Sequence, residues 1–498
     1  MKLRSAAGDM GAKVPACISV IVRRWVILTL VCEALLPRAV QGQVTWKRSY
    51  GGSGTDQGFA VCSISNGGAV ICGSTGSFGS GGDAYVFEVD VNGDVQWSRI
   101  LGGAGVDVAA DVCLSSSDEP VIAGYTNSQG VGGYDGLLVK LDASGSQVWE
   151  RTYGGAEWDL FHAIAETSDG FVAAGSSSSF NPDALPEAWL VRLDASGEMQ
   201  WSATIDTLPD AVFRDVSLDG SGRIIAIGTS RIGTLNQQML VACCSSGGDW
   251  IWARELGGAG SEIGYGTVIQ PNGTVMAVGY TESFASHRQM FLGRVAQDGT
   301  VLSASAVSTA GDDWEARSIA TKPDGDYVMA GYTREYGAGG KDYYLMTTDP
   351  LGNIQSGPSF GGGSDDEPWD VSATGDGAFY LVGTTTSYGP GASAVFVVRC
   401  VGDTLNGTVV TFFDSVGLME SEGQSARNLL YPNPARVGDR VLVRSEEGLD
   451  RTLTIHDATG REVGSASVIG GGFLVPGLTA GYYMAACGSR ERHRLVIE

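Results

Sequence analysis

Seven acidic residues recur along the chain, each after a glycine-rich loop of the form G-G-x-G-x-D. They are Asp56, Asp107, Asp159, Asp210, Glu262, Asp313 and Asp366. Carboxylate oxygens coordinate Ca²⁺ and accept hydrogen bonds from the hydroxyl groups of sugars. If the fold brings these residues to one surface, they could bind a carbohydrate or hold a calcium ion. We therefore treat them as one candidate ligand-binding set.

Aromatic residues form a second candidate set, in a second kind of glycine-rich loop. They are Phe78, Phe180, Phe284, Tyr336 and Tyr388. Aromatic rings are frequent in ligand pockets and could stack on sugar rings here. Both sets also have a structural interpretation. Each Asp could cap a glycine turn through local backbone hydrogen bonds, and each aromatic ring could pack on the neighbouring repeat.

A residue that is present in nearly every repeat is usually part of the scaffold, whereas a binding site needs asymmetry. Residues that occur in single repeats are therefore better site candidates on the same surface. They are Trp158, His162, Arg214, His287, Arg288, Trp314 and Arg334. These residue types form no recognised catalytic set.

Signals for catalysis and for transition-metal binding are weak. The four histidines, His162, His287, His456 and His493, are scattered, and the chain contains neither H-E-x-x-H, nor C-x-x-C, nor G-x-S-x-G. We predict no catalytic residues and no cofactor, with Ca²⁺ left open. The alternative is a polysaccharide-acting enzyme, since the abundant carboxylates could supply a glycosidase-like pair.

The candidate residues lie on repeats of about 52 residues, and a glycine in each second strand marks the period. These glycines are Gly73, Gly124, Gly175, Gly228, Gly279, Gly331 and Gly383. Each copy contains four short strand-like runs separated by turn signals such as Asn66-Gly67. Seven such copies predict an all-β fold, a seven-bladed β-propeller of four-stranded antiparallel blades over residues 43–413.

The two ends of the repeat region favour a closed ring. Val44–Tyr50 resembles the fourth strand of a repeat, because Trp46 aligns with Trp97, Trp149, Trp201 and Trp252. This segment could complete the last blade, and Val409–Phe413 competes for the same place. We expect the recurring tryptophans to fill the gaps between the outer strands of neighbouring blades.

Composition limits the partners and the compartment. A formal charge of −24 argues against nucleic acid and anionic membrane surfaces as partners. Residues 1–42 look like a signal peptide, with Arg23 and Arg24 before an apolar stretch. Cys32 suggests a lipoprotein alternative, which Val31 before it disfavours. We expect no transmembrane segment in the mature chain.

Cys62 and Cys72 flank the Asn66-Gly67 turn. They could form a disulfide across a hairpin. Buried free cysteines are the favoured interpretation, since free cysteine is among the most buried residue types.

After a linker at residues 414–427, residues 428–498 show alternating strands that predict a small Ig-like β-sandwich. Three motifs stand in it: Tyr431-Pro432-Asn433-Pro434, Asp457-x-x-Gly460-Arg461, and Gly481-Tyr482. This segment resembles the type A C-terminal sorting domain of the type IX secretion system of Bacteroidetes. The resemblance implies the type IX machinery as a partner, export across both membranes, and a secreted or surface-attached product.

The repeats resemble those of secreted bacterial propellers, through Tyr153-Gly154-Gly155, Ala330-Gly331-Tyr332-Thr333 and Asp342-Tyr343-Tyr344-Leu345. This resemblance implies a secreted binding or adhesion protein. We therefore predict a non-catalytic module that binds an extracellular glycan, another polymer or a surface protein. A polysaccharide-acting enzyme and a purely structural surface component are the alternatives.

Overall fold

The computed structural model describes residues 43–401, apart from 207, 209, 232–235, 308–312 and 336, together with strand residues between 415 and 497. Every regular element within these residues is a β-strand. The described part contains no helix that is long and apolar enough to cross a membrane. The signal peptide predicted at residues 1–42 lies outside the described residues.

Strands β1–β28 form seven antiparallel four-stranded sheets, which confirms the seven-bladed propeller. Blade 1 contains β2 (Asp56–Ser63), β3 (Ala69–Thr75), β4 (Asp83–Val89) and β5 (Val95–Leu101); blade 2 contains β6 (Asp107–Leu114), β7 (Pro120–Thr126), β8 (Asp135–Leu141) and β9 (Gln147–Tyr153). Blade 3 contains β10 (Asp159–Thr167), β11 (Gly170–Ser177), β12 (Glu187–Asp194) and β13 (Met199–Thr204); blade 4 contains β14 (Val212–Leu218), β15 (Ile224–Ser230), β16 (Gln238–Cys244) and β17 (Trp250–Leu256). Blade 5 contains β18 (Glu262–Ile269), β19 (Val275–Thr281), β20 (Gln289–Val295) and β21 (Val301–Val307); blade 6 contains β22 (Trp314–Thr321), β23 (Tyr327–Thr333), β24 (Asp342–Thr348) and β25 (Ile354–Phe360). Blade 7 contains β26 (Asp366–Ala373), β27 (Ala378–Thr385), β28 (Ala394–Val401) and β1 (Gln43–Tyr50).

The first strand of every blade is the inner strand. Each inner strand contacts the inner strands of the two neighbouring blades, and blade 7 contacts blade 1, so the seven strands enclose a central channel. The second and third strands are covered on both faces by adjacent blades, and their residues are almost all buried. This explains their continuous apolar runs, and the hydrophobic core therefore lies between blades.

The last blade is closed by the first strand of the chain. β1 pairs antiparallel with β28, from Gln43 opposite Val401 to Tyr50 opposite Val395. Tyr50 is fully buried. A short strand, β29 (Ser415–Val416), lies parallel to the outer side of β1. Val44–Tyr50 therefore fills the place for which the sequence offered two candidates, and Val409–Phe413 lies outside the described residues.

The recurring tryptophans lie between outer strands, as expected. A methyl group added to Gly145 in the next blade would meet the Trp97 ring at 2.5 Å. The indole N–H of Trp46 on β1 donates to the carbonyl of Val91 in blade 1 at 2.8 Å. Each of these rings fills the gap between its own blade and the turn of the next.

The cysteines at the first hairpin are not bonded to each other. Cys62 lies opposite Val70 and Cys72 opposite Ala60, and both are free thiols. Cys72 is fully buried in the core between blades 1 and 2. This agrees with the interpretation of both residues as free thiols.

The C-terminal segment contributes two further sheets. One has the order β30-β31-β34 and the other β33-β32-β35-β36. Their strands are β30 (Leu430–Tyr431), β31 (Arg440–Val443), β32 (Arg451–His456), β33 (Glu462–Val468), β34 (Gly472–Leu474), β35 (Gly481–Cys487) and β36 (Glu491–Ile497). The sandwich arrangement, the linker at 414–427 and the domain boundary at 428 stay predictions.

Candidate functional site

Each inner strand carries a β-bulge at the same place, and its extra residue lines the central channel. The bulge residues are Phe59, Ala110, His162, Arg214, Tyr265, Arg317 and Trp369. All seven border one cavity of about 490 Å³. A bulge leaves one residue without a partner on the opposing strand and turns its side chain out of the regular alternation. The seven blades thus contribute one residue each to a ring around the channel. These seven residues are of six different types, whereas the scaffold positions repeat the same type.

The glycine that marks each repeat explains why the bulge forms. Gly228 on β15 lies opposite Phe213, directly before the bulge residue Arg214. A methyl group on Gly228 would lie 1.9 Å from the carbonyl oxygen of Val212. The six equivalent glycines would meet an inner-strand carbonyl at 1.8–2.0 Å. Only a residue without a Cβ allows the two backbones to approach so closely.

Aromatic rings and arginines alternate on the side of the channel formed by blades 4 to 7. The Arg317 guanidinium lies 3.8 Å from the centre of the Trp369 ring, and the Phe59 ring meets Trp369 edge-on at 5.9 Å. The Arg214 guanidinium lies 5.5 Å from the centre of the Tyr265 ring. Cations over ring faces are attracted by the ring quadrupole, so these contacts orient both arginines.

Arg317 belongs to a network of ion pairs across blades 5 to 7. In order, the network contains Lys341, Glu367, Arg317, Glu315, Arg288 and Glu282, and adjacent members are 2.6–3.2 Å apart. It holds three cations and three anions, so its formal charges cancel. Nη1 of Arg317 has no hydrogen-bond partner in the described part of the chain, although the side chain is only 7% exposed.

His162, in blade 3 beside Arg214 of blade 4, is held neutral. Its ring contacts Tyr125, which also lines the cavity, with 6.4 Å between ring centres. Burial, together with the charge of Arg214, lowers the pKa of His162 to about 3. The imidazole therefore offers one N–H donor and one acceptor at neutral pH, without a charge.

Three aspartates line the same cavity, each one residue after a bulge. Asp111 accepts the backbone N–H of Ile164 in blade 3 at 2.7 Å, and Asp215 accepts that of Thr267 in blade 5 at 2.6 Å. Asp370 accepts the N–H of Val61 in blade 1 at 2.9 Å. Each carboxyl group thus satisfies a donor on the exposed edge of the next inner strand. They join blades 2 to 3, 4 to 5, and 7 to 1.

Burial dominates the titration of these aspartates. It raises the pKa of Asp111 to about 7 and that of Asp215 to about 8, and the neighbouring carboxylates add to both increases. The pKa of Asp370 is also raised, mainly by burial. In Asp111 and Asp215, one oxygen accepts the N–H of the next blade and the other the N–H of the following residue. Their oxygens are occupied by backbone donors.

The carboxylates predicted from the G-G-x-G-x-D loops are placed inside the blades in five of seven copies. Asp56, Asp107, Asp159, Glu262 and Asp366 are all fully buried. In blade 1, Asp56 accepts the N–H of Gly52 at 2.8 Å and the hydroxyl of Ser77 at 2.6 Å, and also bonds Thr75. These contacts match the structural interpretation, in which the acid closes its own loop. They leave the carboxylate no surface toward a ligand in this conformation.

Asp210 and Asp313 depart from that arrangement. Asp210 has a positive φ of 54° and pairs with Arg231 at 2.8 Å. In blade 6, Trp314 pairs with Thr333, the register position that the acid holds in other blades, and Asp313 precedes the strand. Asp313 accepts the backbone N–H of Arg288 at 3.0 Å. The ring of seven equivalent carboxylates is therefore interrupted in blades 4 and 6.

The predicted aromatic residues pack on the third strand of their own blade. The ring pairs are Phe78 with Tyr85, Phe180 with Trp189, Phe284 with Phe291, and Tyr388 with Phe396. This differs from packing on the next blade, because the loop that carries each ring leads directly into that third strand. Phe180 and Phe284 remain 51% and 58% exposed. Tyr336 lies outside the described residues.

The residues specific to single repeats lie in three kinds of place: at or beside the channel, against tyrosine rings, and on loops. His162 and Arg214 line the channel, and Arg288 belongs to the ion-pair network beside it. Trp158 is exposed and packs edge-on against Tyr134, whereas Trp314 is buried against Tyr344. His287 and Arg334 lie on the loops after β19 and β23. Five of the bulge residues were not predicted from the sequence, because they differ in type from repeat to repeat, although all seven occupy one position of the repeat.

Three of the sorting-motif residues fall on described strands: Tyr431 in β30, and Gly481 and Tyr482 in β35. Pro432, Asn433, Pro434, Asp457, Gly460 and Arg461 lie outside the described residues. Within the part of the chain that is described, no group of three or more His, Cys, Asp or Glu residues is arranged to hold a metal ion.

Comparison with known proteins gives structural neighbours only. No family model and no curated protein matches the chain. Similar structures include the Pan2 WD40 domain of Neurospora crassa, with 9% identity, 71% of this chain and 91% of that chain covered, and a TM-score of 0.45. A protein of unknown function from Dyadobacter fermentans has 11% identity, with 74% and 100% covered and a TM-score of 0.44. PorZ, an essential surface component of the type IX secretion system of Porphyromonas gingivalis, has 12% identity, with 88% and 59% covered and a TM-score of 0.37. At this identity and these TM-scores, none of them assigns a function to this chain.

Proposed function

We propose that this protein is an exported, non-catalytic propeller that binds an extracellular glycan in its central channel. The observation that carries the proposal is the ring of bulge residues, since every blade contributes its own side chain to one cavity. A cavity of about 490 Å³ lies within the range of ligand pockets, roughly 300–1,000 Å³. Aromatic rings beside a few charged and polar groups suit a sugar, which has both apolar faces and hydroxyl groups.

Binding without chemistry is favoured by the state of the channel carboxyl groups. A glycosidase needs one carboxyl that donates a proton and a second that acts as nucleophile or base. The oxygens of Asp111 and Asp215 already accept backbone N–H groups, and these contacts hold neighbouring blades together. The polysaccharide-acting enzyme therefore remains the second hypothesis, and the binding experiment also measures released sugars.

The binding test uses a glycan array and polysaccharide pull-downs with the purified chain, with and without Ca²⁺. Ala110→Trp places a large ring at a bulge position that lines the cavity and removes no native contact of a larger side chain. We expect this variant to lose glycan binding at least tenfold. Ala143→Trp, on an exposed turn of the same blade, is the matched control and should bind like the wild type.

Phe284→Ala distinguishes ligand binding in the channel from binding at the loops that carry the predicted aromatic residues. Phe284 is exposed on a loop that sequence analysis predicted to bind ligand. If Phe284→Ala abolishes binding while Ala110→Trp does not, the ligand lies on the loops and the channel proposal is wrong. Release of reducing sugars by the wild type would replace the binding function with the enzymatic one.

The export part of the proposal rests on the C-terminal resemblance. We propose that residues 428–498 direct the chain through the type IX machinery and that the propeller acts on the outer surface or outside the cell. Deletion of residues 428–498 should leave the propeller in the periplasm of a type IX-competent host, as measured by protease accessibility on whole cells. Surface display of the truncated chain would contradict this part alone.

A further inference from the structure

Two arginines line the channel, and Arg214 is the one without a carboxylate partner among the described residues. No carboxylate in the described part of the chain lies within ion-pair distance of its guanidinium, whereas Arg317 contacts two glutamates. Nε of Arg214 is buried and has no hydrogen-bond partner among the described residues. Its guanidinium lies 5.5 Å from the centre of the Tyr265 ring and borders the channel cavity. A guanidinium with unsatisfied donors beside a cavity is suited to an incoming anion.

The surroundings of Arg214 do not supply the missing negative charge. The ion-pair network of blades 5 to 7 balances its own charges. Asp215, the next residue in sequence, directs both carboxyl oxygens to the backbone N–H groups of Val216 and Thr267, and burial raises its pKa. His162 is affected by the charge of Arg214 and stays neutral. Among the described residues, Arg214 thus has no ion-pair partner in the channel, although the chain has a formal charge of −24.

We propose that Arg214 binds the carboxylate of an acidic sugar whose ring lies against Tyr265. This inference rests on the proposed glycan-binding function and names the class of ligand. Guanidinium and carboxylate groups form bidentate, charge-assisted hydrogen bonds, which are roughly twice as strong as neutral ones. The Tyr265 ring is half-buried and borders the cavity, and the guanidinium groups of Arg214 and Arg317 lie 5.5 and 5.8 Å from its centre.

The charge of the whole chain restricts the form of that ligand. A formal charge of −24 repels a long polyanion that approaches the outer surface. A terminal or short acidic saccharide that enters the channel exposes few charges to this field and brings its carboxylate to Arg214. We therefore assign the site to the end of an acidic glycan, and we expect affinity for such ends to exceed affinity for internal segments.

The test compares two probes that share one sugar backbone and differ in charge. Isothermal titration measures binding of digalacturonate and of its neutral methyl ester to the full chain at pH 7 and low salt. We expect the wild type to bind the acid at least tenfold more tightly than the ester. In Arg214→Gln this preference should disappear while the ester still binds. Arg151→Gln, at an exposed arginine on β9, is the matched control and should keep the preference.

The outcomes separate this inference from the proposed function. Equal binding of acid and ester by the wild type, or an unchanged preference in Arg214→Gln, overturns the anion site and leaves glycan binding intact. Failure of both probes, together with silence on the glycan array, overturns the glycan function as well. Arg214→Lys guards against a folding defect, because it keeps the positive charge and should restore part of the preference.

Discussion

Asp111, Asp215 and Asp370 each place a carboxyl group between two inner strands. An inner strand is the edge strand of its blade, so the N–H groups on its free side, at the channel, have no partner within the sheet. An uncharged carboxyl oxygen can accept such an N–H deep in the channel at a lower desolvation cost than a charged one. The folded chain therefore holds these protons to higher pH than the unfolded chain does, with a pKa of about 7 for Asp111 and about 8 for Asp215.

This protonation predicts a stability that falls with rising pH. Asp215 has an ordinary pKa of 3.8 and a pKa of about 8 in the folded chain, so the folded state holds the proton longer than the unfolded state does. The contribution of Asp215 to the free energy of unfolding should then decrease between about pH 4 and pH 8, by at most about 1.4 kcal/mol per pH unit. His162, whose pKa is lowered from 6.5, adds a slope of opposite sign below pH 6.5, so the decrease should be clearest above that pH. Urea unfolding at pH 5, 6, 7 and 8 measures the slope.

Asp215→Asn should reduce that slope, because an amide does not titrate, and should leave the shares of Asp111 and Asp370. The same substitution should lower stability at pH 5 by about 1–3 kcal/mol, since one backbone N–H loses its acceptor. Asp142→Asn is the control: hydrogen bonds from Ser144 and Ser146 lower the pKa of Asp142, so it titrates below this range. Equal slopes for the wild type and Asp215→Asn between pH 6.5 and pH 8 would contradict the prediction.

At the scale of residues, repetition hides the site. The acids and aromatics that recur at regular spacing are visible in the sequence, and the structure uses the described acids mainly to close loops. The channel residues share a position and differ in type, so no motif connects Phe59, Ala110 and Trp369. Their only signal in the sequence is one position of the aligned repeats at which the residue type changes from blade to blade. The burial that raises the pKa of Asp215 depends on residues of other blades, so the sequence around Asp215 does not predict it.

At the scale of elements, one glycine and one bulge form a unit. The repeat glycine on the second strand permits the close approach, and the inner strand opposite inserts its extra residue there. Scaffold and site are therefore separated within a single strand pair, because the glycine stays constant while the bulge residue is free to change. This explains how one repeated blade can carry different channel side chains.

Gly228→Ala tests this unit in blade 4. The added methyl group would lie 1.9 Å from the carbonyl of Val212, so the strands must separate. We expect a loss of about 1–3 kcal/mol in the free energy of unfolding, the usual cost of overpacking, together with weaker ligand binding at Arg214. Gly220→Ala, where nothing lies within 4 Å, should change neither quantity by a comparable amount. Equal effects in the two variants would refute the coupling.

The element pattern was predictable to a large extent, since turn dipeptides and apolar runs give four strands per repeat. The bulge was not, because a one-residue insertion relative to the partner strand shows only when the pairing register is known. The interruption of the carboxylate ring in blades 4 and 6 was not predictable either, because it also depends on the pairing register. Asp210 and Asp313 fit the spacing of the acidic series, but their strands begin one or two residues later.

At the scale of the whole molecule, closure depends on β1. Trp46 and Tyr50 from this strand lie in a core cluster with Tyr85 and Phe87 of blade 1. We expect Trp46→Ala to lower the free energy of unfolding by about 3–5 kcal/mol, as for other buried large aromatics. Val148→Ala, at an exposed site on the outer strand of blade 2, should cost far less. Similar losses in thermal unfolding of the two variants would argue against closure by β1.

The number of blades follows from the sequence because seven repeats must bury their faces against one another. The choice of closing strand did not follow, since both candidate segments have strand character and only long-range pairing distinguishes them. The ligand is likewise absent from the repeat pattern, because its recognition depends on side chains from blades far apart in sequence.

The pairing of β1 with β28 also sets an order in time. Residues 43–50 are made first, but their partner, residues 394–401, is made more than 340 residues later. Until then β1 has no sheet to join, and the inner edge of blade 1 has no neighbour on one side. Contacts between positions so distant along the chain form slowly, because a long loop must close first. Ring completion should therefore be the last and slowest event of folding, and premature release of the chain would leave an open arc that exposes two unpaired blade surfaces.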